Sequence, residues 1–320
     1  MKLKLTGTFL QPLSGGDTPV MSWSRREWDR EFRLMRDLGI DTVILLRISL
    51  DGWMAYDSEY LRKADHGLPS ATDYLDLFLD LAETYHMRMF VPTFSPWHDW
   101  LLASYDPEKE FEFFRPLTDE IWSRYGNRKA FGGWYFAQEI SGGDSFLVTE
   151  LFQKLGRYVK EISGNLPVMI SPGMRGIKAF PDDWPMEKKQ AHLIPPEQHR
   201  AEWDPLMEKC KGAVDIIAFQ DGHVDFHLLS SYLKINVELA RKHGIEIWDN
   251  IESFDREIIP KFQPITWDKL RFKLEAALPA KFDKLITYEF TPFLSPNGCY
   301  SAWTTSLLER YREWCKLQEK

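Results

Sequence analysis

Short apolar runs alternate with stretches of helical periodicity along the whole chain. Trp28, Phe32, Met35 and Leu38 recur at helical spacing, and Gly39 follows them as a stop signal. Between such stretches lie runs rich in apolar and β-branched residues, as expected of buried strands. Eight strands are therefore predicted, within residues 3–11, 41–50, 87–95, 132–140, 166–173, 214–222, 245–254 and 284–293.

Three further apolar stripes predict helices between these strands. Ser70, with Asp73 three positions later, is predicted to open a helix that carries Leu77, Phe78 and Leu81. The other two stripes run over 111–121 and 228–239, and the second ends before a glycine at 244. Alternation of strand and helix eight times without a linker predicts an α/β fold, a (β/α)8 TIM barrel, as a single domain over 1–320.

An open doubly wound sheet is the structural alternative to a barrel. It would more often have fewer strands, and no glycine-rich dinucleotide fingerprint follows the first strand, where 11–16 read QPLSGG. Two longer insertions, 95–107 and 174–205, follow the third and fifth strands. In a barrel these loops are expected at the C-terminal mouth, where active sites of this fold are built.

Composition narrows the classes of function. The 320 residues carry a formal net charge of −8, and the basic residues are dispersed, which argues against a nucleic-acid partner. No run approaches the roughly 18 apolar residues of a membrane span, and the first residues lack the apolar core of a signal peptide, so a cytoplasmic protein is expected. Three cysteines without CxxC spacing predict neither a disulfide framework nor a zinc site. No cofactor is expected, and no oligomeric state is predicted.

Polar residues at the carboxyl ends of the strands are the candidates for chemistry. Glu139 ends the strongly apolar fourth strand, and Glu252 ends the seventh. Glycoside hydrolysis needs two carboxyl groups beside the scissile bond, one protonated and one ionised. Arg47, at the end of the second strand, is predicted to keep Glu252 ionised as a nucleophile, while an apolar setting would suit Glu139 to acid and base work. A structural salt bridge between Glu139 and Arg47 is the alternative.

Other residues are predicted to bind substrate. Trp97 and His98 lie in the loop after the third strand, where an aromatic face could stack on a pyranose ring. Trp303 is a second candidate platform, although it could simply cover the last helix. His98 lacks the neighbours of a metal site, because no HxH, HExxH or closely spaced His and Asp trio is present. The aromatic fraction, 14% with 13 Trp, fits either stacking platforms or a Trp-rich core.

Polar pairs end the sixth and eighth strands. Gln220 and Asp221 are predicted to bind sugar hydroxyls, with Asp221 alternatively orienting the acid/base or capping the next helix. Tyr288 and Glu289 have opposite strand parity, so only one of them is expected to face the barrel interior. Glu289 is the competitor of Glu252 for the second catalytic role.

The arrangement resembles a large clan of retaining glycosidases whose acid/base and nucleophile are glutamates ending strands 4 and 7. That resemblance implies the roles given above to Glu139 and Glu252. It also implies that Arg47 corresponds to the arginine that lies beside the nucleophile in that clan. The segments GTFLQP, GIDTVILLR, GGWYFAQEI, AFQDG and NIESF more closely resemble a bacterial domain-of-unknown-function family of glycosidase-like TIM barrels, over nearly all the chain. The clan usually has Asn before the acid/base, whereas Gln138 stands here and is expected to donate to a sugar hydroxyl.

These observations favour a glycoside hydrolase of the retaining type acting on an oligo- or polysaccharide. Two alternatives stay open. A catalytically silent carbohydrate-binding barrel would keep the cleft without turnover. A metal-dependent barrel hydrolase would depend on a bound metal ion.

Overall fold

Eight parallel strands close into a barrel, so the predicted (β/α)8 fold is confirmed. The structure, a computed structural model, describes residues 4–12, 22–50, 52–93, 104–257 and 262–318. Each strand pairs with the next along the chain and the last pairs with the first. Every strand falls on one of the eight predicted runs: β1 (Leu5–Leu10), β2 (Thr42–Leu45), β3 (Arg88–Pro92), β4 (Phe131–Phe136), β5 (Val168–Ile170), β6 (Ile216–Gln220), β7 (Glu246–Glu252) and β8 (Lys284–Tyr288).

The barrel interior is a packed core of large side chains from alternate strand positions. Phe9 on β1, Phe90 on β3, Tyr135 on β4 and Trp248 on β7 belong to this inner cluster and are almost fully buried. The positions between them pack outward against the helices in a second, larger cluster. Because successive side chains of a strand point to opposite faces, this partition fixes which residues at the strand ends reach the mouth.

The helices form the outer layer. They are α1 (Arg25–Leu38), α2 (Glu59–Ala64), α3 (Tyr74–Thr84), α4 (Pro107–Tyr125), α5 (Val148–Ser163), α6 (Met186–His192), α7 (Pro196–Cys210), α8 (Phe226–His243), α9 (Trp267–Ala277), α10 (Phe290–Phe293) and α11 (Ser301–Leu317). None of those described is long and apolar enough to cross a bilayer.

The sequence signals at helix ends are confirmed in one case and corrected in another. Gly39 adopts the left-handed conformation, with φ of 90°, and ends α1 as predicted. The helix predicted to open at Ser70 begins instead at Tyr74, because Asp73 accepts the hydrogen bond from the backbone N–H of Asp76. Ser70 is occupied elsewhere, since its hydroxyl donates to the backbone carbonyl of Met54.

Two insertions at the mouth differ from the prediction. The predicted loop 174–205 is in part the barrel helix α7, so the true insertion after β5 ends near residue 195 and contains α6. An insertion after β2 was missed. It holds α2 and a small sheet of Ser49–Leu50, Trp53–Met54 and Leu68–Pro69, which occupies part of the predicted second strand.

Candidate active site

The two predicted catalytic glutamates both face the barrel interior at its mouth. Tyr135 is an inner residue of β4, so Glu139, four positions later, is on the same parity. Trp248 is likewise an inner residue of β7, and Glu252 follows it by four. Alternation along two separate strands therefore brings both carboxyl groups to one opening, and the charge of Glu252 acts on Glu139.

Glu252 is held as a carboxylate by a partner that the sequence analysis did not identify. Its side chain is 2% exposed, and Arg256 donates to both of its oxygens, Nε to Oε2 and Nη2 to Oε1, each at 2.7 Å. Burial acts to raise the pKa of Glu252. The charge and hydrogen bonds of Arg256, aided by the charges of His223 and Lys273, outweigh it and lower the pKa to about 2.

The peptide groups on both sides of the Glu252 side chain are also fixed. The backbone N–H of Glu252 donates to Oδ1 of Asp221 at 2.9 Å, and the ammonium of Lys273 donates to the Glu252 carbonyl at 3.0 Å. Lys273 and Asp221 are themselves joined at 2.7 Å, with side chains 5% and 0% exposed. This buried ion pair positions the backbone of Glu252 from behind the barrel wall.

Gly222 provides the space in which the Glu252 carboxylate lies. A Cβ atom placed on Gly222 would be 1.6 Å from Oε2 of Glu252 and 2.3 Å from its carboxyl carbon. No side chain fits at this distance, so the absence of one at position 222 is a condition for the observed carboxylate position.

Glu139 has the opposite electrostatic setting. Its side chain is open to solvent at the mouth, yet the surrounding protein desolvates it and raises its pKa, and the charge of Glu252 raises it further. Arg47, Arg256 and a hydrogen bond with Gln220 act in the other direction without cancelling the rise. The mouth thus pairs a glutamate that stays ionised with one that holds its proton to higher pH.

Two other predicted binding residues reach the same region. The amide of Gln220 donates to the backbone carbonyl of Ser171 at 2.8 Å and also bonds Glu139. Tyr288 faces inward, with its ring 5.8 Å from that of Phe9 and its hydroxyl donating to Gln11 at 2.7 Å.

Two arginines act on the two glutamates. Arg47 was predicted to keep Glu252 ionised, or alternatively to pair with Glu139. Its charge lowers the pKa of Glu139, and the main cation acting on Glu252 is Arg256. The difference follows from the chain after β7. The short strand Phe254–Asp255 pairs with Gln263–Pro264 and turns the chain back, and Arg256 follows it directly.

Three predicted site residues point away from the mouth, which corrects their assigned contacts. Gln138 is buried and donates to Glu110 of α4 at 3.0 Å, because it alternates with the inward Glu139. Asp221 faces outward for the same reason, opposite to Gln220, and bonds Lys273.

Glu289 is the third of these residues. Tyr288 packs against the inner cluster, whereas the Glu289 carboxylate lies near Glu31 of α1. Burial, together with the charge of Glu31, raises the pKa of Glu289 to about 8, and its Oε1 accepts from the backbone N–H of Gln11 at 3.0 Å.

The remaining predicted positions do not join the site in the described structure. Trp303 lies in the first turn of α11, outside the ring of strands, and is 37% exposed. Trp97 and His98 lie outside the described residues. Within the described ranges no three His, Cys, Asp or Glu side chains form a group that could hold a metal ion.

Arg256, His223 and Lys273 are site residues that sequence reasoning missed. Arg256 and His223 could have been found, since both follow the ends of strands already singled out, in NIESFDR and FQDGH. Lys273 carries no such signal. It lies on α9, 21 positions after Glu252, and only packing of that helix against β7 brings it close.

The fold and the two glutamates at its mouth define a barrel of the glycosidase type. A family model for a domain of unknown function, DUF4434, matches residues 5–300, and the chain belongs to that family. No curated protein matches the chain.

Among solved structures, a protein provisionally assigned as an alpha-L-fucosidase from Bacteroides thetaiotaomicron VPI-5482 is 38% identical, with a TM-score of 0.88, covering 98% of this chain and 94% of that one. The endo-1,4-beta-D-mannanase of Thermotoga petrophila RKU-1 shares the fold at 13% identity and a TM-score of 0.59, over 98% of this chain and all of that one. A beta-galactosidase of Halorubrum lacusprofundi shares it at 11% identity and 0.57, covering 99% and 58%.

Proposed function

We propose that this protein is a glycoside hydrolase of the retaining type, with Glu252 as the nucleophile and Glu139 as the acid/base. The observation that carries the proposal is the opposite electrostatic setting of two glutamates at one barrel mouth. The pKa of Glu252 is lowered to about 2, and that of Glu139 is raised. When the pKa values of two carboxyl groups are shifted apart in this way, the group with the low pKa acts as the carboxylate and the group with the raised pKa acts as the acid.

The chemistry follows from these settings. The ionised carboxylate of Glu252 attacks the anomeric carbon and forms an ester bond to the sugar, while protonated Glu139 gives its proton to the departing glycosidic oxygen. Glu139, now ionised, then removes a proton from water as the water attacks the same carbon and releases Glu252. The retaining course of the proposal is taken from the resemblance to glycosidases with glutamates ending strands 4 and 7, and it requires the two carboxyl groups to be about 5–5.5 Å apart.

Three further residues are proposed to bind the sugar. Gln220 hydrogen-bonds Glu139, Arg47 acts on Glu139, and Tyr288 lines the upper interior. For the first sugar to be tested we take α-L-fucose, because the 38% identical relative is provisionally assigned as an alpha-L-fucosidase.

The test is hydrolysis of a panel of 4-nitrophenyl glycosides that includes the α-L-fucoside, by the wild type and by Glu139→Gln and Glu252→Gln. We expect turnover of at least one glycoside by the wild type and loss of roughly a thousandfold or more in kcat for Glu252→Gln. The Glu139→Gln variant is expected to lose the basic limb of its pH–rate profile. Wild-type rates and pH profile in either variant would remove that residue from its role.

One observation favours a second candidate, a carbohydrate-binding barrel without turnover. The fork of Arg256 engages both oxygens of Glu252, the group that has to attack. If the protein is such a binding barrel, calorimetry would detect saccharide binding to the wild type, and no glycoside of the panel would release 4-nitrophenol.

A further inference from the structure

A groove of about 350 Å³ lies beside Arg256, the partner of Glu252, between the chain that follows β5 and the chain that follows β7. This volume is within the range of small-molecule sites in proteins. Lys178, Met186 and Lys189 come from the insertion after β5, and Arg256 comes from the chain after β7. None of these insertion residues takes part in the chemistry proposed above.

Arg256 connects the groove to the candidate active site. Its guanidinium bonds both oxygens of Glu252, and Arg256 is also one of the residues that line the groove. A guanidinium has five N–H donors, of which Glu252 uses two. When one sugar unit of a substrate lies at Glu252, the groove is the adjacent space, and the next sugar unit could occupy it.

The charges of the groove balance, which indicates a neutral polar ligand. Three cations and three carboxylates line it, with Asp182, Asp225 and Glu257 opposing the lysines and Arg256. Lys178 and Glu257 form an ion pair at 3.3 Å. An anionic ligand would require an excess of unpaired basic side chains, and the residues that line this groove do not provide such an excess.

Two groups in the lining are available to bind hydroxyls. Within the described residues, neither the ammonium of Lys189 nor the carboxylate of Asp225 has a hydrogen bond or ion pair. A sugar hydroxyl both donates and accepts, so it matches a lone cation and a lone carboxylate together. Met186, which is 57% exposed, and Ile177 add an apolar patch of the kind that the C–H face of a pyranose covers.

The wall of the groove is anchored to the barrel. The backbone N–H of Lys178 donates to the carbonyl of His223 at 3.1 Å, and Gly176 approaches so closely that a Cβ there would be 2.2 Å from the same oxygen. Further along the same segment the rings of Phe180 and Trp184 stack with centroids 5.6 Å apart. A preformed wall lowers the entropic cost of binding.

We propose that this groove is a second sugar-binding subsite, continuous with the one at Glu139 and Glu252. The substrate class is then a neutral oligosaccharide of at least two sugar units. This inference rests on the proposed function for its catalytic part and adds the substrate length that the site selects.

The test compares kcat/KM for 4-nitrophenyl glycosides with kcat/KM for the disaccharides and trisaccharides of the same sugars, fucosylated lactose included. In Lys189→Met and Asp225→Asn, the ratio of oligosaccharide to aryl glycoside kcat/KM is expected to fall at least about tenfold, the loss typical of one hydrogen bond to a charged group. The matched control is Lys129→Met, an exposed lysine just before β4, at the opposite end of the barrel, which should leave the ratio unchanged.

Each outcome of this comparison either supports or overturns the proposed subsite. An unchanged ratio in both groove variants, with an active wild type, would overturn the subsite and leave the proposed function standing. If the wild type hydrolyses nothing, the proposed function fails, and calorimetry with the same oligosaccharides tests the groove alone. Binding that Lys189→Met weakens and Lys129→Met does not would then support the subsite, and absence of such binding would overturn it.

Discussion

Replacement of Arg256 by methionine would remove the cation that keeps Glu252 ionised in a buried position. Methionine retains much of the apolar stem of arginine, so the change acts mainly on charge and hydrogen bonding. In the wild type Glu252 is 2% exposed, and burial alone raises its pKa. Because the effect concerns a buried ion pair, it can be measured as stability, independently of any substrate.

The size of the effect follows from the pKa of Glu252. That pKa is lowered from 4.5 to about 2, and each pKa unit corresponds to about 1.36 kcal/mol, so the setting stabilises the folded state by about 3 kcal/mol at pH 7. A pKa lowered by folding stabilises fully above about pH 4.5, and the stabilisation is lost as the pH falls toward 2. Breaking a buried pair by removing one partner typically costs about 3–5 kcal/mol, which agrees with this value.

Urea unfolding at pH 4, 5.5 and 7 measures the prediction. Arg256→Met should be less stable than the wild type by about 3–5 kcal/mol at pH 7, and the gap should narrow as the pH falls, because the variant then protonates Glu252. The control is Arg271→Met, which removes an exposed arginine paired with Glu275 at 3.1 Å and should change stability by less than about 0.5 kcal/mol. A loss below about 1 kcal/mol at pH 7, or a gap that does not change with pH, would refute the reasoning.

Three other predictions concern the surroundings of Glu252, its coupling to Glu139, and the buried carboxyl group of Glu289. Gly222→Ala should lower kcat about a hundredfold or more, because the new Cβ would displace the Glu252 carboxylate, whereas Gly143→Ala, with its nearest neighbour at 3.5 Å, should be near wild type in a steady-state assay. Glu252→Gln should lower the pKa of Glu139 in an infrared titration, since it removes a like charge and releases Arg256; an unchanged or higher pKa would contradict the coupling. Glu289 has a pKa raised to about 8, so wild-type stability should fall as the pH rises from about 5 to 8, by about 3 kcal/mol more than in Glu289→Gln. Parallel pH dependences in urea unfolding would show that Glu289 does not cause the decline.

Strand positions and the two glutamates could be predicted because they depend on local patterns. A buried strand needs an apolar run, and a barrel places the residue after each run at the mouth. Parity could have sorted the strand-end pairs further. Gln138 and Asp221 alternate along their strands with the inward Glu139 and Gln220, so they point outward.

The partners of Glu252 could not be predicted from local patterns. Arg256 reaches the carboxylate because the chain after β7 forms a short antiparallel pair and turns back. Lys273 reaches the Glu252 carbonyl because α9 packs against the barrel wall. Both contacts depend on tertiary packing, which spacing along the chain does not encode. Strand-end positions alone therefore indicated Arg47 as the arginine partner of Glu252, although the charge of Arg47 acts on Glu139.

The most direct test of the central claim is the mass of the protein during turnover. Glu139→Gln is mixed with a 2,4-dinitrophenyl glycoside of the sugar selected by the aryl glycoside panel, quenched in acid and examined by intact-protein and peptide mass spectrometry. This leaving group needs no acid, but release of the sugar needs the base, so the covalent intermediate should accumulate. The account predicts an increase of one glycosyl unit located on Glu252. Turnover without such an adduct, or an adduct on another residue, would contradict it.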